Sequence, residues 1–435
     1  MKKGITAVLA VAFVLAAAYV VKRPAVPVAS VAPAVKAAPI GSDPYFLFIA
    51  DIHLNAAVDR TPFGCDTGMD LWTGFLNEVT AVCRSKNPPR FVICTGDLPS
   101  HCCSTYNICT KKSSCTDQSS DAAHNKSDSI VLTGLRSMVA GTAIPLLYLP
   151  GNNDALAGCN TPTDYNAFTN NCGLTPFALS HDKAHPFPAL NAPVISGDIG
   201  VGYYSASPIA GLRVIALNTV IYTKSFHPSD LQEKYGKQQM AFLESELKDA
   251  LSKNEKVYLA MHVPPGKDAH GTGDSLMWAD SGTRWLNTFL GIVERYDQTI
   301  AGVLFGHTHM DELRRLYDST GTTITEVAIS CPGITTGHCN NPGFKTVEYD
   351  PTSMELMDFT THYTTDQNAA VWSDHVYDLN TEFRKDPRIT LFDFLTSGGL
   401  TPLAIATDMQ VIYKVKSGPG HANTIESAID VRPTK

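Results

Sequence analysis

Short apolar runs that each stop at a Gly, Asp, Asn or His group constrain the fold of this chain more than any other feature. Five of these runs have the composition of strands buried on both faces. They occupy residues 45–50, 90–95, 145–149, 256–261 and 300–305. Helical patterns accompany them over residues 71–84, 129–140, 238–252 and 284–295. This alternation predicts an α/β fold with parallel or mixed sheets.

The polar groups that follow the apolar runs contain the candidate functional residues. In chain order they are Asp51-Ile52-His53, Gly96-Asp97, Gly151-Asn152-Asn153, His262 and Gly306-His307-Thr308-His309. Ligands of open α/β sheets bind beyond the carboxyl ends of the strands. We therefore expect these groups to meet at one edge of the sheet.

The residue types in these groups indicate a metal centre. Imidazoles, carboxylates and one amide suit zinc, iron or manganese better than they suit a thiolate site. On an extended backbone, Asp51 and His53 would project to the same side, and His307 and His309 repeat that spacing. The remaining candidate ligands are Asp97, Asn152 and His262. Seven ligands are too many for one tetrahedral ion and right for two ions that share a carboxylate. Two ions about 3.5–4 Å apart can clamp a phosphoryl group and activate a water for in-line attack.

The order of these motifs along the chain is more specific than any one of them, since each alone is also typical of a turn or loop. In this order they resemble the motifs of the calcineurin-like metallophosphoesterases. Within that family the chain looks like the acid-sphingomyelinase-like branch, which includes endopolyphosphatases. Segments that support the resemblance are Thr95-Gly96-Asp97-Leu98-Pro99, His262-Val263-Pro264-Pro265-Gly266 and Asn341-Pro342-Gly343-Phe344.

The resemblance implies a fold, a reaction and a ligand set. The fold is a four-layer α/β/β/α sandwich of two mixed sheets, with a small C-terminal subdomain. The reaction is hydrolysis of phosphoester or phosphoanhydride bonds by a metal-activated water, with two divalent ions as cofactors. Zinc is the first expectation for both ions, and iron or manganese are the alternatives. The implied ligands are Asp51, His53 and His309 for the first ion, Asn152, His262 and His307 for the second, and Asp97 as the bridge.

Two further residues are candidates for the chemistry of the leaving group. His101 stands four residues after Asp97, where the acid-sphingomyelinase branch has a similar histidine. The implied role is protonation of the departing oxygen, and the alternative is a histidine of a surface loop. Asn153 stands where the wider family often has a histidine; its amide cannot deliver a proton but can donate a hydrogen bond to a phosphoryl oxygen. Asn218 is a candidate either for contact with a metal-bound group or for a simple turn.

The charge of the chain bears on its partners. The net charge at pH 7 is −8, so we expect no nucleic-acid-binding domain. Lys111, Lys112 and Lys126 follow Asp97 in one loop and would form a local positive spot. Such a spot favours polyphosphate or nucleoside polyphosphates over choline-phosphate lipids, whereas a solvated loop leaves the phosphorylated substrate open. Outside the enzymes, the alternative is a catalytically dead binding protein on the same scaffold, which Asn153 suggests.

The N-terminal residues predict export. An apolar run of 18 residues, 4–21, has basic residues on both sides, and its length lies between those of a signal peptide and a membrane span. We interpret residues 1–23 as a signal peptide or an uncleaved anchor, and residues 24–41 as a Pro/Ala-rich tether. A metallophosphoesterase domain over 42–365 and a C-terminal subdomain over 366–435 would follow. The expected location is secreted, lumenal or periplasmic, with or without membrane anchoring by residues 4–21.

The 11 cysteines also fit an oxidising compartment. Cys94 lies inside an apolar run and is expected to be a free core thiol. Short separations suggest the pairs Cys331–Cys339, Cys159–Cys172 and Cys65–Cys83. One loop holds Cys102, Cys103, Cys109 and Cys115. In that loop two internal bridges are expected, with a zinc knuckle as the alternative, because a sequence alone does not fix pairing.

Overall fold

A computed structural model describes most of the chain beyond its N-terminal segment. The described residues are 44–101, 106–107, 109–116, 121–154, 194–198, 201–223, 229–270, 275–278, 284–368, 370–372 and 375–434. The predicted signal or anchor segment and the tether therefore lie outside the described residues. Within the described ranges, no helix is long and apolar enough to cross a membrane.

The elements of the described chain alternate as the apolar runs predict. The strands are β1 (Tyr45–Ile49), β2 (Val92–Cys94), β3 (Tyr106–Asn107), β4 (Lys112–Ser113), β5 (Leu146–Tyr148), β6 (Val194–Asp198), β7 (Tyr203–Ile209), β8 (Leu212–Leu217), β9 (Lys256–Met261), β10 (Ile300–Phe305), β11 (Leu313–Tyr317), β12 (Ile324–Ser330), β13 (Gly343–Tyr349), β14 (Leu356–Tyr363), β15 (Val376–Asp378) and β16 (Asp430–Val431). The helices are α1 (Met69–Cys83), α2 (Asp121–Val139), α3 (Ser229–Ser252), α4 (Arg284–Arg295), α5 (Leu379–Phe383), α6 (Leu391–Thr396), α7 (Pro402–Met409) and α8 (Ala422–Ile429).

The strands form two large sheets and one small hairpin. The first sheet has the order β15-β14-β13-β1-β2-β5, and the second has the order β16-β11-β12-β10-β9-β8-β7-β6. In the first sheet β1 pairs parallel to β2 and antiparallel to β13. In the second, β8, β9, β10 and β12 run parallel, and β7 and β11 pair antiparallel to their neighbours. Both sheets are therefore mixed, as expected. The hairpin consists of β3 and β4.

The two sheets pack face to face between two layers of helices. Successive side chains of a strand point to opposite faces, and in β8 Val214 packs into the core between the sheets while Ile215 packs into the core beneath α3 and α4. The hydroxyl of Tyr204 in β7 donates a hydrogen bond across to the Tyr148 carbonyl of β5, at 2.8 Å. On the outer face of the first sheet, Phe75 of α1 contacts the ring of Phe344 in β13. The predicted α/β/β/α sandwich is confirmed.

Residues beyond 365 add an edge strand to each sheet. β15 pairs with β14 in the first sheet, and β16 pairs with β11 in the second. Short helices, α5 to α8, lie between these two strands. The boundary between a catalytic domain and a C-terminal subdomain at residue 365 stays a prediction.

Candidate metal centre

The ends of five strands meet at one edge of the sandwich, where the candidate ligands lie. Asp51 and His53 follow β1, Asp97 follows β2 and Asn152 follows β5, all from the first sheet. His262 follows β9, and His307 and His309 follow β10, both strands of the second sheet. The expectation that one sheet edge carries all five groups is therefore wrong in detail. The groups converge because the two sheets stack with their carboxyl strand ends on the same side.

The backbone at the ligands is not the extended backbone assumed from the Asp-x-His spacing. Five of the candidate ligands have a positive φ, in the left-handed region: Asp51 (51°), His53 (46°), Asp97 (59°), His307 (72°) and His309 (61°). Such a conformation costs a residue other than glycine about 1–3 kcal/mol and persists only where surrounding contacts hold it. The His307 amide, for example, donates to the Asp51 carboxylate at 2.9 Å and ties the two sheets together.

Two glycines leave room for the carboxylates. A Cβ atom on Gly151 would lie 2.1 Å from Oδ1 of Asp97, and one on Gly306 would lie 2.9 Å from Oδ2 of Asp51. The first distance is far inside van der Waals contact with a buried side chain. The glycines of the Gly-Asn and Gly-His motifs are therefore explained by close approach of the backbone to the two carboxylates.

The ligand atoms converge on the Asp97 carboxylate. Oδ2 of Asp97 lies 3.3 Å from Nε2 of His53 and 3.3 Å from Nε2 of His262. Nε2 of His262 lies 3.0 Å from Oδ1 of Asn152. Asp51 completes the other side, with Oδ1 placed 3.5 Å from Nε2 of His309. Asp97 therefore stands between two sets of candidate ligands, which is the position that a bridging carboxylate would need.

Backbone carbonyls fix the orientation of two of these imidazoles. Nδ1 of His53 lies 3.1 Å from the Pro99 carbonyl oxygen, and Nδ1 of His262 lies 2.7 Å from the Thr95 carbonyl oxygen. Because a carbonyl only accepts, Nδ1 of each ring carries a proton, and Nε2 is the nitrogen that faces the site. This is the arrangement that orients metal-ligating histidines in proteins.

The donor set fits divalent cations. Nε2 of His53 and Nε2 of His309 lie 3.1 Å apart in a fully buried setting. Two lone pairs facing each other at that distance repel unless a cation or a proton lies with them. Three clusters have ligand atoms within 4.8 Å of one another: Asp51–His53–Asp97, Asp97–His262–His307 and His53–His101–His309. Asp97 belongs to two of these clusters, and nitrogen with oxygen ligands suits zinc, iron or manganese.

Burial and neighbouring charges set the protonation of Asp97 and His307. Burial favours the neutral form of Asp97, but the neighbouring imidazoles of His262 and His53 outweigh it and hold the pKa of Asp97 well below its usual range. Burial lowers the pKa of His307 to about 3, and the nearby His262 contributes to that shift. His307 is thus a neutral imidazole over the ordinary pH range, which is the form that binds metal.

His101 lies beside the metal ligands and is held by a carboxylate that the sequence reasoning missed. Its ring stacks on His53 with centroids 3.9 Å apart. Nδ1 of His101 lies 2.8 Å from Oδ1 of Asp66, and the His101 amide donates to Oδ2 of Asp66 at 2.7 Å. Burial acts to lower the pKa of His101, but the charge of Asp66 raises it to about 9. No motif marks Asp66, since only the fold brings it within reach.

The two asparagine candidates have different surroundings. The backbone amide of Asn153 donates to Oδ1 of Asp97 and its side-chain amide donates to Oδ2, each at 2.7 Å. Asn218 instead donates through Nδ2 to the Val201 carbonyl at 2.7 Å. The neighbouring Asp154 accepts the amides of Asp97, Leu98 and Gly151, and so joins the loop after β2, which carries Asp97, to the loop after β5, which carries Asn152.

A cavity of about 130 Å³ opens over the centre. Besides candidate ligands, its walls include His101, Asn153, Asp268, His270, Met277 and His338. Sequence reasoning missed His270 and His338, because neither follows a strand. The one local signal for His338 is its position next to Cys339, which is disulfide-bonded.

The disulfides correct three predicted pairings. Cys65 bonds Cys115, and Cys109 bonds Cys339 across 230 residues of sequence. The pairs Cys65–Cys83 and Cys331–Cys339 are wrong, and so are internal bridges of the loop for Cys109 and Cys115. Cys83 and Cys331 are buried free thiols, and Cys94 is the buried free thiol that was predicted. Separation along the sequence misleads here because the fold places the 339 loop against the β3–β4 hairpin. Cys102, Cys103, Cys159 and Cys172 lie outside the described residues.

Comparison with known proteins places the chain in a family. The calcineurin-like phosphoesterase family matches residues 44–311. A sphingomyelinase phosphodiesterase D of Dictyostelium discoideum is 28% identical over 69% of this chain and 61% of its own length. The human acid sphingomyelinase-like phosphodiesterase 3b is 32% identical over 36% of this chain and 35% of its own. A mouse cyclic GMP-AMP phosphodiesterase is 32% identical over 37% of each chain. The matches thus span about three fifths of these relatives at most.

Proposed function

Because the chain belongs to the calcineurin-like phosphoesterase family, we propose that it is a metal-dependent phosphodiesterase that uses two divalent ions. The observation that carries this proposal is the convergence of two ligand sets on Asp97. The first ion would be held by Asp51, His53 and His309, and the second by Asn152, His262 and His307, with Asp97 between them. Relatives named for phosphodiester hydrolysis support the choice of bond.

When bound, two such ions supply Lewis acidity toward a phosphoryl oxygen and lower the pKa of a water to near neutrality. The residues of the chain prepare the site for this. The carbonyls of Pro99 and Thr95 keep His53 and His262 in the metal-binding tautomer. Asn153 donates two hydrogen bonds to Asp97, and we infer that it positions this carboxylate, while a hydrogen bond from its amide to a substrate oxygen remains the alternative role.

His101 is proposed to protonate the departing oxygen. Its position supports this, because the ring lines the cavity and stacks on one candidate ligand, and its Nε2 forms no hydrogen bond with any residue that the structure describes. Asp66 bonds Nδ1, so the proton that Nε2 gives up can return without a change of tautomer. General acid catalysis of this kind contributes about 10²–10⁴-fold to a rate.

Zinc is the proposed metal, with iron or manganese as alternatives, and a diester with one phosphoryl group is the proposed substrate. Among the described residues that line the cavity, none is lysine or arginine. Lys111 and Lys112 are exposed on the hairpin instead. This favours a single phosphoryl group over polyphosphate, the second candidate. The two disulfides in the described part of the chain fit export to an oxidising compartment.

The test is reconstitution followed by a substrate panel. Metal-depleted protein would be loaded separately with zinc, manganese or ferrous iron, and assayed on bis(p-nitrophenyl) phosphate, p-nitrophenyl phosphate and polyphosphate at low and high salt. The proposal expects about two metal equivalents and preference for the diester. One metal equivalent at saturation would contradict the two-ion site. Full loading without turnover would favour the binding-protein alternative, and salt-sensitive polyphosphate cleavage would favour the endopolyphosphatase.

A further inference from the structure

A histidine outside the ligand set stands over the metal centre in a way that the proposed reaction does not yet use. His338 lines the cavity, and its ring meets that of His309 edge-on, with centroids 4.4 Å apart. It also contacts His270, at 4.7 Å between centroids, and lies 6.2 Å from His101. One phosphoryl group could therefore contact both His338 and His101, the proposed leaving-group acid.

The ring nitrogens of His338 are free to bind something that enters the cavity. The ring is half-buried, and no described residue forms a hydrogen bond with it. The neighbouring rim histidine differs, because Nε2 of His270 is bonded to the Thr308 carbonyl. The N–H of such a half-buried imidazole is available to donate a hydrogen bond to a ligand.

The loop around His338 is pinned on both sides. Before it, Thr335 donates to Oδ1 of Asp66 at 3.2 Å and Thr336 donates to the Cys65 carbonyl at 3.0 Å. After it, Cys339 is bonded to Cys109. Asp66 therefore contacts both His101 and Thr335, so the same carboxylate fixes His101 and the loop that carries His338. A donor fixed before the substrate arrives needs no reorganisation during the reaction, and such donors stabilise charge most strongly.

From this arrangement we propose that His338 donates a hydrogen bond to a non-bridging oxygen of the substrate phosphoryl group. This inference rests on the proposed phosphodiesterase function and names a substrate-binding residue for it. His338 differs from His101 in that no carboxylate among the described residues bonds its ring. A leaving-group acid uses such a carboxylate to hold its tautomer, as Asp66 does, whereas an oxyanion donor needs only an N–H. The two histidines therefore divide the work, with His338 on the phosphoryl oxygens and His101 on the leaving oxygen.

The test compares His338→Phe, His338→Asn and the control His421→Phe, all loaded with metal in the same way and analysed for metal content. Phe keeps the ring contact with His309 but has no N–H, Asn keeps a donor, and His421 lies exposed at the start of α8. Hydrogen bonds to charged groups contribute enough for a loss of about 10–100-fold in kcat/KM for His338→Phe. The loss should be equal on bis(p-nitrophenyl) phosphate and on diphenyl phosphate. Asn should recover part of it, and the control should match wild type.

Phosphate binding gives a readout that needs no turnover. The dissociation constant of inorganic phosphate, measured by calorimetry, should rise about tenfold or more in His338→Phe. Unchanged kcat/KM and phosphate affinity would overturn the inference. A loss confined to diphenyl phosphate would overturn it too, because that dependence indicates a leaving-group acid. A lower metal content in His338→Phe would also overturn it, because it would show that His338 acts by supporting the candidate ligand His309. Wild type that binds phosphate but cleaves no diester would contradict the proposed function, while a phosphate defect in His338→Phe would still support this inference.

Discussion

Two cavities lie at opposite ends of the central strands, and their walls differ in kind. The one over the metal centre follows the carboxyl end of β10, has a volume of about 130 Å³ and is walled largely by imidazoles. The other surrounds the start of β10, has a volume of about 190 Å³ and is lined by Asp297, Glu326 and Glu355 together with apolar residues. The larger cavity is therefore the one without a histidine among its described lining residues.

The backbone separates the two cavities further. Three candidate ligands that line the first cavity, Asp97, His307 and His309, have a positive φ, whereas no described residue lining the second does. Carboxylates at the first cavity face imidazoles that balance their charge. At the second, burial raises the pKa of Glu326 to about 8, with the repulsion of Glu355 as a smaller cause. The cavity with the candidate ligands is therefore distinguished neither by its volume nor by the presence of carboxylates. It is distinguished by the imidazoles beside its carboxylates and by a backbone held at positive φ.

The largest expected effect comes from the shared carboxylate. Asp97→Asn should lower kcat/KM on bis(p-nitrophenyl) phosphate by about three orders of magnitude, because one substitution weakens both ion sites. The matched control is Glu326→Gln in the other cavity, which should leave turnover unchanged. Steady-state kinetics and metal analysis of both variants would check this. Comparable losses in the two variants would break the distinction between the cavities.

The next effect is on the leaving group. His101→Ala should lose about 10²–10⁴-fold on diphenyl phosphate and much less on bis(p-nitrophenyl) phosphate, since nitrophenolate departs without protonation. Asp66→Asn should show the same dependence with a smaller loss, because His101 remains but its tautomer is no longer held. The slope of log kcat/KM against leaving-group pKa measures this. An identical loss on both substrates would assign His101 to binding instead.

The smallest effect concerns stability at the second cavity. Glu326 is buried with its pKa raised to about 8, above its unfolded value, so the folded state holds this proton to higher pH than the unfolded state does. The free energy of unfolding should therefore fall as the pH rises from about 4.5 to 8, because Glu326 ionises in the unfolded state but stays protonated in the folded state. Glu326→Gln removes that dependence. Calorimetric Tm values of the two proteins should diverge by a few °C across this window, and parallel Tm profiles would count against the shift.

The sequence predicted the structure best at the apolar strands and at the candidate ligands that directly follow them. Runs such as residues 256–261 and 300–305 match β9 and β10, because strands buried on both faces contain little except apolar residues. β11 escaped prediction because it carries Arg314 and Arg315 into the interior. Arg314 bonds Glu312 at 2.7 Å, and Arg315 bonds Asp430, which lies far along the chain. Charged residues in a strand predict an exposed segment when the residues that pair with them lie far away in the sequence.

The same limit applies to the site. The ligands after β1, β2, β5, β9 and β10 could be proposed from order alone, because each strand fixes where its last residues lie. Asp66 and His338 could not be proposed, since a hydrogen bond network and a disulfide spanning 230 residues place them. The positive φ values of the ligands could not be predicted either, because a positive φ is common for glycine but not for Asp or His.

The pairing of β1 has a consequence for the time course of folding. Tyr45 of β1 pairs with Glu348 of β13, about 300 residues later. At a synthesis rate of about 5–20 residues per second, β13 emerges roughly 15–60 s after β1. Throughout that interval the sequence YFLFI, buried at every position in the finished sheet, lacks this neighbour. Contacts this distant along the chain slow folding, and an apolar strand left unpaired invites aggregation. We therefore expect a newly made chain to expose an aggregation-prone strand until its latest strands arrive.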